Sequence, residues 1–248
     1  ELFSESVKLR TNSDVPFATF LSGGLDSTSI VKSQIDQNLE VNTFSVYMGN
    51  ASYDESYYCE TASNFYNTNH KSIRIDTTLT IATIEDIVNV LDEPFSDPSI
   101  VPTSLLSKEI SNYYKMAISG DGGDELLGGY LRVQKSVYPK ATTNFADILF
   151  SLYPSAFGTG NIFLSKHKNF NDRYNSFLSD SQLLKLLNLK SKNIKINQFE
   201  INEGLDTYKQ AMYNEYTFFL PQLMMYKVDR ASMANSLEVR SPFLDNKV

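Results

Sequence analysis

Between Val15 and about Ser119, short apolar or β-branched runs alternate with longer stretches of helical period. The runs at 17–21, 42–47, 72–75 and 115–119 predict strands, and the stretches at 27–37, 54–66, 79–91 and 102–113 predict helices between them. Strand and helix in alternation mean a parallel sheet, and right-handed crossovers put helices on both of its faces. After Tyr130 the pattern changes to long segments without strand-like runs: 141–153, 180–187 and 204–236, the last holding only one proline, Pro221. The expectation is therefore an α/β region over 1–130 followed by a mainly helical region over 131–248. The Asn- and Lys-rich stretch 188–202 has little period and reads as a surface loop.

Composition narrows the class. Hydrophobic residues make up 42 % of the 248-residue chain, ample for a core, and the net charge is −7. No basic stripe interleaved with aromatics occurs, which argues against nucleic acid as a partner. No apolar run is long enough to span a bilayer, and the first ten residues lack a signal-peptide layout, so no membrane partner and a cytoplasmic location are expected. The one cysteine, Cys59, excludes an internal disulfide, and His70 and His167 lie outside any familiar zinc spacing. All three read as packed residues, and any metal is expected to be held by oxygen.

Chemistry first appears in FATFLSGGLDSTSIV, where an apolar strand ends at Leu21 and a helical pattern begins near Asp26. Gly23 and Gly24 let backbone N–H groups converge on an anion, Ser22 and Ser27 add hydroxyls, and the following helix adds the positive end of its dipole. A tight strand-to-helix turn would account for SGGLDS alone. As a phosphate loop it lacks the lysine of a Walker A motif and carries Asp26 instead. A carboxylate beside phosphates needs a cation between them, and Mg²⁺ suits that place.

The loop resembles the pyrophosphate loop of the ATP pyrophosphatases, which split ATP between the α and β phosphates. That resemblance implies an adenine-nucleotide α-hydrolase-like fold, with AMP and pyrophosphate as products. A second segment, KMAISGDGGDELLGGY, repeats the layout of a strand running into glycines and carboxylates. In a parallel sheet Asp121, Asp124 and Glu125 are expected to face the crevice at the carboxyl ends of the strands, with Asp124 the second Mg²⁺ ligand beside Asp26.

SGGLDS together with SGDGGDELLGGY resembles the synthetase domain of glutamine-dependent asparagine synthetases and their β-lactam synthetase relatives. LPQLMMYKVDRASMANSLEVRSPFLD matches a third block of that family, and DEPFSDPSIVPT is similar to a family loop near the acceptor site. By motif position the resemblance implies that Leu21 and Val46 line the adenine and that Ser119 and Gly120 touch the nucleotide. Asp121 would then govern formation of the acyl-adenylate, with Asp97 and Ser99 near the acceptor. Many asparagine synthetases carry glutamate where Asp121 stands. Lys227, Asp229, Arg230, Glu238 and Arg240 read as a network of buried ion pairs holding helical segments against the nucleotide domain, with a catalytic role as the lesser alternative.

The implied reaction adenylates the side-chain carboxylate of aspartate with ATP and passes it to ammonia. Glutamine hydrolysis needs an amino-terminal cysteine, so it is expected of a separate glutaminase domain. The family's lysine that stabilises negative charge in the reaction lies in a basic segment downstream of PFLD, so the expectation is either a domain of a larger protein or a truncated member whose chemistry is impaired. A homodimer is a possible assembly. The rival readings are a relative that amidates another carboxylate, such as a glycan uronic acid, and a nucleotide-binding domain without catalysis. The acidic balance argues against a tRNA-modifying pyrophosphatase.

Overall fold

A computed structural model describes residues 1–47, 54–75, 77–93, 95, 97–137, 170, 174 and 204–248. They fall into two compact units, one made of Glu1–Gly123 and Phe219–Val248, the other of Asp124–Phe218.

The first unit is built on a five-stranded parallel sheet. Its strands are β1 (Phe17–Phe20), β2 (Asn42–Tyr47), β3 (Asn69–Arg74), β4 (Met116–Ile118) and β5 (Glu238–Arg240), in the spatial order β3-β2-β1-β4-β5. The central register pairs Ala18 with Ala117 and Thr19 with Thr43. The helices are α1 (Leu2–Thr11), α2 (Leu25–Asp36), α3 (Ser56–Tyr66), α4 (Thr77–Val90), α5 (Ile100–Ser111) and, late in the chain, a helix of residues Tyr226–Met233.

Both faces of the sheet are apolar, as parallel sheets require. On one face Leu21, Val31, Val41 and Ala62 pack α2 and α3 against the strands. On the other, Leu106 and Ile110 of α5 meet Ala18, Phe44, Ala117 and Leu237. The α/β expectation holds, and its four strands and four helices are present with ends shifted by a few residues, the largest shift being β3, which starts at Asn69.

Two elements of this unit were not anticipated. Leu2–Thr11 is helical, and α1 anchors on the last residues described: Ser6 Oγ donates to Pro242 O at 2.6 Å and Arg10 pairs with Asp245. The expectation that no strand follows Tyr130 is also corrected, because Glu238–Arg240 adds β5 beside β4. Three residues of alternating charge are too short to show a strand period, and tertiary pairing decides the matter.

The second unit contains most of α6 (Gly123–Leu127), then α7 (Leu131–Val137) and α8 (Thr207–Asn214), with Val133, Tyr174 and Ala211 in its core. Asp206 caps α8 by accepting from Lys209 N. Arg132 donates twice to Glu215, at 2.8 and 2.6 Å, and stacks 3.8 Å from the centre of the Tyr130 ring. Around Pro221 the chain winds as a π-helix, Glu215–Met225, which accommodates a residue with no N–H to offer an α-helical ladder. Tyr226–Met233, called α9 below, continues from it. The segments 141–153, 180–187 and 188–202 and His167 lie outside the described residues.

Candidate nucleotide site

In the strand order, β2 and β3 lie to one side of β1 and β4 to the other, so the topological switch point is the crevice between the carboxyl ends of β1 and β4. Open parallel sheets bind ligands there. The two glycine-rich segments leave the sheet at that point.

The loop after β1 is fixed by its own side chains. Ser27 Oγ accepts from Ser22 N at 3.2 Å, lies 3.1 Å from Ser22 Oγ and donates to Gly24 O at 3.3 Å. Gly24 opens α2, and no side chain caps that helix. Its first-turn N–H groups have no intrahelical acceptors and carry the positive helix end. Gly23 has φ +75°, and a Cβ there would come within 2.6 Å of the Tyr58 backbone, so the loop tip sits against the first turn of α3. That contact is invisible in the sequence.

The loop after β4 closes on the first. A Cβ on Gly120 would lie 3.2 Å from Ser27 N, and one on Gly123 would overlap the Asp26 carboxyl. Glycine at 123 is therefore what lets Asp26 lie where it does. The loop is braced from behind: Ser119 N donates to Arg240 O at 2.9 Å, Ser241 Oγ donates to Asp121 O, and Gly122 packs on Phe243 and Leu244. SLEVRSPFLD thus holds the second loop, a role its sequence did not disclose.

Each expected contact has a definite place. Ser22 and Gly24 are exposed, Gly23, Asp26, Val46, Gly120 and Asp121 are half-buried, and Ser27 and Ser119 are buried. Leu21 is only 2 % exposed and packs in the α2/α3 core, its N–H donating to Phe44 O. Ser119 Oγ is buried with no protein partner. Asp124 opens the second unit, where its carboxylate fills the space a Gly129 Cβ would occupy. Glu125, expected to face the crevice, is instead buried and accepts from Tyr130 OH at 2.6 Å. Burial and the adjacent carboxylates push the Tyr130 phenol far up, so it stays protonated and keeps the proton it donates to Glu125.

The network expected around Lys227 is corrected too. Lys227 alone among those residues is buried, and its partners come from the segment before α5. Arg230 pairs with Asp92, Arg240 holds Glu238 and the carbonyls of Arg10 and Asn12, and Asp229 is exposed. Cys59 and His70 are the packed residues expected of them. Burial pushes the Cys59 thiol up to about 11, and it donates to Leu21 O. His70 bridges Thr43 Oγ1 at 2.9 Å and Ser72 Oγ at 3.0 Å.

Among the described residues no group of three or more His, Cys, Asp or Glu side chains could hold a metal by itself, and no helix is long and apolar enough to cross a membrane. Comparison with known proteins adds to this geometry. The chain is 27 % identical to asparagine synthetase (glutamine-hydrolyzing) 1 of Bacillus subtilis (strain 168), over 98 % of this chain and 41 % of that protein. It is also 27 % identical to asparagine synthetase (glutamine-hydrolyzing) 3 of the same organism, over 100 % of this chain and 40 % of that protein. A glutamine-hydrolyzing asparagine synthetase of Sandersonia aurantiaca is 33 % identical over 54 % of this chain and 28 % of that protein. The chain spans about two fifths of the length of the curated relatives that it matches throughout. With the asparagine synthase family matched over residues 1–248, both glycine-rich loops and the brace behind them included, the chain belongs to that family.

Proposed function

We propose that this chain is the synthetase part of an ATP-dependent amide ligase that adenylates the side-chain carboxylate of aspartate and transfers it to ammonia, giving asparagine, AMP and pyrophosphate. The observation that carries the reading is the loop Ser22–Ser27 at the β1/β4 switch point, closed by Gly120 and Gly123, with Asp26 between the two loops. Ser22, Gly23, Gly24 and Ser27 bind the pyrophosphate end of ATP, Val46, Ser119 and Gly120 lie toward the nucleoside, and Leu21 shapes the floor from the core.

The half-buried Asp26 carboxylate beside a phosphate loop is the hard oxygen donor that Mg²⁺ takes. Asp26 and, by motif position, Asp124 would hold Mg²⁺, which supplies charge neutralisation of the leaving pyrophosphate. An aspartate carboxylate oxygen bonds to the α phosphorus while the bond to the bridging oxygen of the β phosphate breaks. Loop N–H groups stabilise the charge that develops on the leaving pyrophosphate. Asp121, held through its carbonyl by Ser241, acts at the acyl-adenylate. Ammonia then forms the C–N bond and loses a proton, and AMP leaves. A glutaminase domain of the longer protein is the proposed source of ammonia.

One observation favours a second reading, a relative that amidates another carboxylate: Asp121 is one methylene shorter than the glutamate the resemblance leads one to expect. Incubation with ATP, Mg²⁺, ammonium and either aspartate or a uronic acid separates the two. Pyrophosphate and asparagine appearing together only with aspartate supports the main reading. Pyrophosphate released only with the uronic acid overturns it.

A further inference from the structure

The first residues of α9 meet the segment between α4 and α5 at three points. Tyr226 packs its ring on Phe95 with centroids 5.6 Å apart, Arg230 pairs with Asp92, and Lys227 reaches Asp97 and Ser99. Lys227 is the buried member of the three, with its side chain only 7 % exposed. Its ammonium donates to Ser99 Oγ at 3.1 Å, lies 3.7 Å from Met224 Sδ and stands 3.8 Å from Asp97 Oδ2. The other carboxylate oxygen, Asp97 Oδ1, accepts from Ser99 N at 2.9 Å and Ser99 Oγ at 2.7 Å. Asp97, Ser99 and Lys227 form one closed polar unit at the start of α5.

A crossover helix in a parallel sheet runs against its strands, so the start of α5 lies at the carboxyl edge, the edge that carries the Ser22–Ser27 and Ser119–Gly122 loops. The phosphate loop feeds α2 on one face, and Asp97–Ser99, leading into α5 on the other, stand as a lip at the same edge. Taking an ammonium and a carboxylate out of water carries a desolvation cost that their attraction only partly returns, so such a pair is a poor source of net stability. What it does supply is a geometric tie, because the carboxylate that holds Ser99 at the turn into α5 is the one Lys227 reaches from α9.

We infer that Lys227 is a positioning residue, fixing the Asp97–Ser99 turn so that the lip presents one shape to the carboxylate acceptor. The inference rests on the ligase reading for its kinetic part and on geometry alone for its structural part. The test uses the full-length protein with Lys227→Met, which keeps the length of the side chain and removes its charge, and Lys227→Arg. In Lys227→Met, amide exchange at Ser99 and Thr103 rises about tenfold or more while that of Leu21 and Ile30 stays as in the parent. KM for the acceptor carboxylate rises by a similar factor, and KM for ATP changes less than about twofold. Lys227→Arg restores both readouts in part. Unchanged exchange at Ser99 and Thr103 overturns the inference whether or not aspartate is the acceptor. A general rise in exchange with both KM values raised together would make Lys227 a residue of the fold and overturn it equally. A parent protein that turns over no carboxylate defeats the ligase reading, and the exchange measurement still decides for Lys227.

Discussion

A single hydrogen decides the geometry at Gly123, since any side chain there would displace the Asp26 carboxyl from between the two loops. Gly123→Ala is expected to fold, because the clash falls on one side chain near the surface of the crevice. Turnover of ATP should fall by on the order of 100-fold, the usual penalty for misplacing a group by about an ångström. Pyrophosphate release, with circular dichroism as the control for folding, checks this.

His70 carries a pH prediction. Burial holds its imidazole below the ordinary 6.5, and both ring nitrogens are engaged by hydroxyls of β2 and β3. The unfolded chain therefore takes up a proton before the folded one does. Stability from His70 is fully present above about pH 6.5 and is lost as pH falls through the lower folded value. Thermal unfolding of the parent should drop more between pH 7.5 and 5 than that of His70→Gln.

At the scale of elements, β5 shows how a short piece can matter. Leu237 is fully buried at its start, packed with Ala18, Ala117, Phe44 and α5, and the strand delivers Arg240 O to Ser119 N and Ser241 to Asp121. Leu237→Ala should cost about 2–5 kcal/mol and weaken ATP binding with it, read by denaturant melts and calorimetric titration. The elements that sequence revealed are those with a long period or a rigid chemical need: apolar runs at 17–21 and 42–47, helices of eleven or more residues, and glycines beside carboxylates. What it concealed has a common cause. The strand Glu238–Arg240, the packing of Tyr58 against Gly23 and the partners of Lys227 are set by contacts between residues far apart in the chain, which leave no local pattern. For the same reason Glu125 reads as a crevice carboxylate beside Asp124, yet one step along a helix turns a side chain by about 100° and takes it to Tyr130 instead.

For the whole chain, the sheet order explains why two motifs a hundred residues apart meet: β1 and β4 are neighbours across the switch point, and each releases a glycine-rich loop at the same edge. In the proposed reading the net charge of −7 is no obstacle to a polyanionic nucleotide, because the loop amides and the start of α2 would act at contact distance while distant charges are screened within about 8–10 Å of salt solution. An acyl-adenylate leaves a mark on its products. With aspartate carrying ¹⁸O in its side-chain carboxylate, plus ATP, Mg²⁺ and ammonium, one ¹⁸O should appear in AMP for each asparagine formed, and both products should vanish in Asp26→Ala. Unlabelled AMP, or ADP with inorganic phosphate, would contradict activation of the carboxylate by adenylation.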